Sequence, residues 1–488
     1  MDRSSFPIVI IGAGFAGIGM AIQLKKSGIH SFTIFERADE IGGTWRDNTY
    51  PGAACDVPSH VYSFSFEPNA HWSRAFAESG EIEGYLLGVV EKWQLRAHLR
   101  LNTAITAARF DADAGVWTLT TEHGEQVTAR AVVSGVGGLV DPKGPDIPGI
   151  DRFDGETFHT ARWNHDYDLT GKNVAVIGTG ASAVQVVPSI APEVGRLSVF
   201  QRTPAWVVPK RDKVYSERTK RMLARFPLAL RLSRLVQYGL SEILGPMIFL
   251  DSKRLSALPE WGSRHYLRAS VSDPELRAKL TPHFQFGCKR ILISDDYWST
   301  FDRDDVNLVT EPIREICRDG LMTDDGTLHR VDAIIFATGF ALGLATAPFP
   351  IVGRGGKTLT EAWKDGAVAY KGVTVSGFPN WFMLMGPNTG PGHTSVLVYT
   401  EAQIRYAVHA IEMLMSDGVK YVDVLQAVQD RYNEGLQGRM KRMVWSTGCN
   451  PWYLSEDGRN HALYPGFAAE YVARIRKFRT SEYEVVGS

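Results

Sequence analysis

Residues 8–17 read IVIIGAGFAG, and residues 174–183 read VAVIGTGASA. Each has a short β-branched run, then glycines spaced as G-x-G-x-x-G or G-x-G-x-x-A. The pattern predicts a buried parallel strand, a tight turn and a helix. In the first loop Gly12 is expected to make the turn. Gly14 would let backbone approach a pyrophosphate, and Gly17 would let helix meet sheet. The helix N-terminus then presents its positive dipole end to the phosphates. The strand-like runs Phe32–Phe35 and Leu197–Phe200 come next, the first ending in Glu36 and the second in Gln201, Arg202 and Thr203. Glu36 and Arg202 stand equally far beyond Gly12 and Gly178. A carboxylate at that place suits free ribose hydroxyls, whereas a guanidinium suits a 2′-phosphate, held by charge and a planar fork. The chain is therefore expected to be α/β, with two Rossmann-like dinucleotide-binding domains.

The rest of the chain narrows the function classes. Its 488 residues predict about three domains. Hydrophobic residues at 44% and charged residues at 22% are ordinary globular composition. A formal net charge of −1 provides no basic field for nucleic acid. Cys55, Cys288, Cys317 and Cys449 are scattered and form no CxxC, so neither a zinc site nor a redox dithiol is expected. Reduced thiols in a cytoplasmic protein are the expectation. No metal site is predicted. The apolar stretch 8–24 is read as strand, turn and helix, and neither a spanning segment nor a secretion signal is expected.

Along the chain, helical spacing covers 81–98, through Ile82, Leu86, Val89, Val90 and Trp93. Strands are expected around 103–110, 115–121 and 126–134, then a stiff linker through Pro142, Pro145 and Pro148. Residues 213–282 break the α/β rhythm and predict a helical insertion. Within it Tyr238–Leu250 is unusually apolar, with Pro246 as an interruption. Its apolar surface is expected to be core and pocket lining, with a membrane or partner contact as the alternative. Strand is predicted again over 286–294, 306–309 and 333–336, and a long helix over 398–416. The expected division is 1–143 with 335–488 for the first nucleotide domain, 144–212 with 283–334 for the second, and 213–282 for the insertion.

Between the two loops, Phe153, Gly155, His159 and Trp163 fit F-x-G-x-x-x-H-x-x-x-W, with Asn164 where Pro or Asp is usual. Upstream, residues 42–56 read GGTWRDNTYPGAACD, in which Gly42, Gly43, Trp45, Tyr50, Pro51, Gly52 and Asp56 fit a second fingerprint. Together these motifs resemble the type I Baeyer–Villiger monooxygenases, class B flavoproteins, over nearly the whole chain. The resemblance implies FAD in the first fold and NADPH in the second. It implies O2-dependent conversion of a small-molecule ketone to an ester or lactone through a C4a-peroxyflavin. Residues 287–298, GCKRILISDDYW, resemble the segment carrying the family's catalytic arginine, which falls on Arg290, with Asp56 to orient it. Thr44, Trp45, Tyr62 and Asp56 join Gly12, Gly14, Gly17 and Glu36 as implied flavin-side residues. Gly178, Thr179, Gly180, Ala181, Ser182, Gln201, Arg202 and Thr203 are implied on the nicotinamide side. Thr338 and Gly339 resemble the crossing back to the flavin fold, and Asn388 the loop nearing the flavin ring. Trp452 resembles part of a substrate-side loop. His159 and Trp163 are expected to be hinge residues rather than proton-transfer groups. The alternatives are a sulfur- or nitrogen-oxygenating flavoenzyme of the same fold, a flavin reductase, and an interaction protein acting through the insertion.

Overall fold

The computed structural model describes residues 5–341, 349–416, 418–449, 453–454 and 458–487. The β-branched run of the first loop is buried on both faces, which makes Ser5–Ile11 a central strand. It pairs in parallel with Phe32–Phe35 on one side and Gln126–Ser134 on the other. The sheet continues outward from Phe32–Phe35 to Leu99–Arg100. On the other side it runs through Val116–Thr121 and Ile105–Asp111 to Ile351–Val352. Trp381–Met383 also pairs with Gln126–Ser134, so late chain completes an early sheet.

The second loop builds a separate sheet of five strands, all parallel. Their order is Val306–Val309, Arg196–Phe200, Asn173–Ile177, Ala333–Phe336 and Glu156–His159. The register places Ile177 beside Phe200 and Phe336, and Phe336 beside His159. The strand carboxyl ends therefore share one edge, where ligands bind in open α/β sheets. The architecture is the expected one: two Rossmann-like folds and a helical insertion. The expected boundary at 335 falls inside Ala333–Phe336, which lies wholly in the second sheet. The two connections between folds run side by side. Lys143 N donates to the Gly339 carbonyl at 2.9 Å and Ala341 N to the Asp141 carbonyl at 2.9 Å.

Three local expectations are corrected. The strand expected over 286–294 is only Leu292–Ile293, because the chain turns at Gly287, with φ +85° against the Ile248 carbonyl. The signature segment, for which no strand is expected, contains one: Glu156–His159 is the edge strand of the second sheet. Pro246 does not interrupt the insertion's long helix, Pro227–Phe249. It lies in the last turn, so it removes one intrahelical hydrogen bond, the one its position would make to the carbonyl of residue 242, close to where the helix ends anyway.

The insertion consists of Glu217–Arg225, Pro227–Phe249, Lys253–Ser270 and Pro274–Leu280. Its long helix docks through polar groups. Arg234 donates to the carbonyls of His60 at 2.8 Å, Val61 at 3.2 Å and Ser63 at 2.9 Å. Ser233 and Gln237 meet His60 Nδ1 at 2.9 and 3.3 Å. Further along, Glu242 meets His393 at 2.9 Å and Ser241 donates to Thr394 at 2.9 Å. Burial, and then the Arg234 charge, push His60 down to about 4. The unfolded chain, titrating near 6.5, binds this proton first, so stability is lost as pH falls from about 6.5 toward 4. Thermal unfolding across that window should show the loss, and His60→Gln should reduce the slope.

Candidate functional site

The first site is built on the glycine loop. Gly12 has φ +96°, and its N–H donates to the Phe35 carbonyl, which seats the loop against the next strand. Gly14 faces Gly43 with so little between them that a Cβ on Gly14 would lie 3.8 Å from the Gly43 Cα. Two backbone segments thus form a cradle free of side chains, of the kind a pyrophosphate needs. The helix Phe15–Lys26 begins there with no side-chain cap, so its first N–H groups remain for an anion. Gly17 is closed in against the Gly12 carbonyl, which is how this helix meets the sheet. Glu36 is buried at the strand end, and its carboxylate accepts from Ala13 N at 2.8 Å and Ala38 N at 3.0 Å, beside Arg46 at 3.2 Å. Those bonds aim the carboxylate along the loop, where a ribose diol belongs.

Trp45 and Tyr62 form the next layer. Trp45 Nε1 donates to the Tyr62 hydroxyl at 3.0 Å, and Tyr62 packs edge-on against Phe15. Thr44 opens the short helix Thr44–Asp47 directly after the cradle. Asn388, a few residues beyond the strand Trp381–Met383 of the first sheet, is in the left-handed conformation, φ +57°. Its amide donates to the carbonyls of Asn460 at 2.7 Å and Leu463 at 3.1 Å, while its buried Oδ1 has no partner among the described residues. That orphaned acceptor fits a ligand donor.

The second site repeats the plan. Gly178 has φ +120°, and the position a Cβ would take on Gly180 is open. Ala181 is exposed, Ser182 is half-buried, and Ala183–Ile190 starts with no side-chain cap and no acidic residue in its first turn. Thr179 donates to the Thr203 carbonyl at 2.9 Å and Gln201 to the Lys279 carbonyl at 2.8 Å. These three residues therefore hold the loop and the insertion in place. Arg202 is exposed at the strand end. Lys289 stands near it, and its ammonium is held below the usual lysine range by burial and then by the Arg202 charge. Two neighbouring cations at this strand end are chemically able to take a dianionic phosphate. Sequence reasoning missed Lys289, although it directly precedes Arg290 in the motif.

The segment 42–56 joins the folds. Tyr50 and Ala53 are buried in the hydrophobic cluster of the second fold. Tyr50 donates to Gln185 Oε1 at 2.7 Å, and Gln185 Nε2 donates to the Ala54 carbonyl at 2.9 Å. Gly52, φ +81°, lies so close that a Cβ would meet Ser189 Oγ at 2.2 Å and the Gln185 carbonyl at 2.6 Å. Pro51–Gly52 is thus more than a turn, because it lets one fold's backbone rest on the other's first helix. Gln185 had no signal beyond its place in that helix.

Just beyond the clamp, Asp56 meets Arg290. Arg290 Nη2 and Nε donate to Asp56 Oδ2 at 2.5 and 3.2 Å. Both bonds use one edge of the guanidinium and one carboxylate oxygen, so Nη1 is not committed to Asp56. The Asp56 charge holds Arg290 more firmly protonated, against burial. Cys55, Tyr62 and Tyr453 surround the pair closely enough to act on Arg290 or feel its charge. About half of the Arg290 side-chain surface remains accessible, at 52%.

A profile of the pyridine nucleotide-disulphide oxidoreductase family matches residues 9–226, the region of both glycine loops. A Baeyer–Villiger monooxygenase of Pseudomonas aeruginosa is 45% identical over 485 residues, which is 98% of this chain and 91% of the relative. Another, from Streptomyces coelicolor, is 43% identical, covering 98% and 92% of the two chains. The solved complex of OTEMO with FAD and NADP superposes with a TM-score of 0.89 over 99% of both chains, at 29% identity. The chain belongs to the Baeyer–Villiger monooxygenase family.

The remaining marks of a Baeyer–Villiger chain sit where the folds meet. His159 ends the edge strand, buried, with its ring against Phe340 at 5.9 Å. Its Nδ1 accepts from Ala161 N at 3.0 Å, so the proton is on Nε2, facing the Gly339 backbone. Burial chiefly holds it neutral, below the usual histidine range. That is a positioning group at the crossing between folds. Thr338 Oγ1 donates to the Lys143 carbonyl there, and Gly339 is in the left-handed region. Trp163 packs edge-on against Phe158 at 4.9 Å, beside the second core. Asn164 departs from the fingerprint with little cost. Its Oδ1 accepts from Asp166 N at 3.0 Å, as an Asp would, and its amide adds a bond to Glu156 at 2.9 Å.

Trp452 lies outside the described residues. Shortly before it in the chain, the expectation of four reduced thiols is corrected: Cys449 is joined to Cys288 in a disulfide across 161 residues. Only Cys55 and Cys317 are free. Sequence spacing could not reveal it, because a long-range packing brings the 286–289 turn under Met443, Val444 and Trp445. Tyr453 adds a hydrogen bond from its hydroxyl to the Cys288 carbonyl.

Gln185→Ala would leave the buried Tyr50 hydroxyl and the Ala54 carbonyl unpaired. The variant should lose about 1–3 kcal/mol of stability. Denaturant unfolding should show the loss, and Ser189→Ala, which keeps both bonds, should not.

Proposed function

We propose that the protein is an FAD-containing, NADPH- and O2-dependent monooxygenase that converts a ketone to an ester or lactone, with Arg290 as its catalytic cation and Asp56 as the group that orients it. The Arg290–Asp56 pair carries this reading, since it brings a fixed charge from the second fold to the segment that follows the flavin-side cradle. The first site fits FAD: a side-chain-free cradle, an uncapped helix and Glu36. Gly12, Gly14, Gly17, Thr44, Trp45, Tyr62 and Asn388 would hold it. The second fits NADPH, with Gly178, Gly180, Ala181 and Ser182 around the phosphates and Arg202 with Lys289 on the 2′-phosphate. Residues 1–143 and 337–488 make the FAD domain in this reading, and 144–212 with 283–336 the NADPH domain, the boundary expected at 335 moving past the strand Ala333–Phe336. A need for NADPH suits a cytoplasmic enzyme. Held in the first site, FAD would supply the redox chemistry, accepting hydride from NADPH and activating oxygen.

The chain's own part is electrostatic. Attack on a ketone carbon moves negative charge onto the carbonyl oxygen. A guanidinium whose charge is permanent and whose donors are fixed stabilises that charge without reorganising. Asp56 occupies one edge of the guanidinium and leaves the other toward the substrate side. Tyr62 and Tyr453 stand close to the pair, and the accessible half of the guanidinium is the part free to meet a substrate. Trp163 and His159 hold the crossing about which the folds adjust between hydride transfer and oxygen transfer.

Arg290→Ala should bind FAD and still oxidise NADPH, but yield hydrogen peroxide instead of ester. Loss of one preorganised donor set costs on the order of 3–4 kcal/mol, a hundredfold to a thousandfold in ester formation. Product analysis with a ketone panel tests it, and ester formed at the native rate would remove Arg290 from the site. Arg290→Lys should restore little, because an ammonium lacks the planar fork.

Arg202→Ala and Lys289→Ala should each weaken NADPH by roughly 1.5–3 kcal/mol, tenfold or more in Michaelis constant. NADH, which lacks the phosphate, should be used as before. Equal losses with both nucleotides would contradict this assignment.

A further inference from the structure

The insertion's long helix is amphipathic in the reverse sense. Its polar residues, Ser233, Arg234, Gln237, Ser241 and Glu242, face the protein and bond to it. Most of its aliphatic residues face outward, with Leu230 buried against Ala70 and Leu223. Leu228 is 78% exposed, Leu232 57%, Leu235 63%, Leu240 53% and Ile243 71%. With Val236 at 52%, they follow in steps of three or four, from Leu228 through Leu232, Leu235–Val236 and Leu240 to Ile243, and so form one stripe along the helix. The next helix adds Leu258 at 65% and Trp261 at 64%. So many exposed large apolar side chains on two successive helices mark an interaction site.

Charge selects the occupant. Residues 213–270 contain 11 Lys and Arg against four Asp and Glu, a net of +7 in a chain whose total is −1. Arg221 and Arg225 are exposed on the helix before the stripe, Arg231 on the long helix itself, and Lys253, Arg254 and Arg268 on the helix after it. A twofold contact with a second copy would set these cations against themselves. An anionic bilayer pairs with both features at once, taking the aliphatic stripe and Trp261 at its interface and the cations at its headgroups. The helix has 23 residues, yet none of the described helices is long and apolar enough to cross a membrane. Its inner face of Arg234 and Glu242 is held by the protein, so the helix would lie in the plane of the interface.

We propose that the outer face of helices Glu217–Arg225, Pro227–Phe249 and Lys253–Ser270 is a peripheral docking surface for anionic phospholipid bilayers. The inference does not depend on the catalytic roles assigned above. Binding buries the Leu232–Leu235–Ile243 stripe in the acyl boundary, and the basic rim makes it depend on anionic lipid and on salt.

Co-sedimentation of the whole protein with vesicles tests this. Vesicles of phosphatidylcholine with one quarter phosphatidylglycerol should bind the protein at least about tenfold better than phosphatidylcholine alone, and 0.5 M salt should remove most of that gain. The triple variant Leu232→Ser, Leu235→Ser, Ile243→Ser changes only exposed positions. It should keep its turnover of a water-soluble ketone and lose vesicle binding by about tenfold or more. Arg221→Glu with Arg225→Glu should abolish the preference for phosphatidylglycerol. No binding to the anionic vesicles, or binding that the triple variant retains, would overturn the proposal. So would a concentration-dependent dimer in ultracentrifugation that the triple variant dissolves while vesicles bind nothing, since the occupant would then be a second copy.

Discussion

A guanidinium from one fold pairs with a carboxylate from the other, and the arrangement of the chain follows from making that pair possible. Arg290 and Asp56 are 234 residues apart in sequence. Neither the turn at 286–289 nor the segment 42–56 is regular structure able to hold its charge in place alone. Each is therefore anchored from outside. The first is fixed by Leu292–Ile293 pairing with Val207–Val208, by the bond from Tyr453 and by the Cys288–Cys449 disulfide. The second is fixed by Gln185, by the close approach at Gly52 and by burial of Tyr50 and Ala53 in the neighbouring core. An ion pair with half of the arginine surface open would add little by itself. With both ends fixed, it becomes a preoriented charge.

The same logic separates what could be read in the sequence from what could not. The two glycine loops were legible because each is a local device: strand, turn and helix within a dozen residues. Glu36 and Arg202 were legible because their distance from the loop is set by one strand–helix–strand repeat. The Arg290 motif was legible as a resemblance, but its strand was overextended, since Gly287 turns against Ile248, a contact no local pattern encodes. Gln185 and Lys289 acquire meaning only from neighbours far away in sequence. The thiols were misread for the same reason, as proximity of Cys288 and Cys449 is a tertiary fact. The signature residues behaved differently from their appearance. Asn164 keeps the turn of the residue it replaces, and His159 is a neutral strand-end group.

The insertion shows the limit of composition most clearly. A near-zero net charge suggested no field, yet it is the balance of a basic insertion against an acidic remainder. An apolar helix suggested core, yet its polar face is the one turned inward. Burial patterns are read on the assumption that a helix hides its aliphatic side. Arg234, which serves three carbonyls, holds this helix by the opposite side.

The central claim is that Arg290 acts on the substrate only as Asp56 presents it. A double-mutant cycle on ketone conversion measures this directly, using kcat/KM for Asp56→Ala, Arg290→Ala and the pair together. If the two residues form one device, the double variant should be about as impaired as Arg290→Ala alone, because removing Asp56 loses nothing once the arginine is gone. Losses that simply multiply would contradict the account and make Asp56 and Arg290 independent contributors.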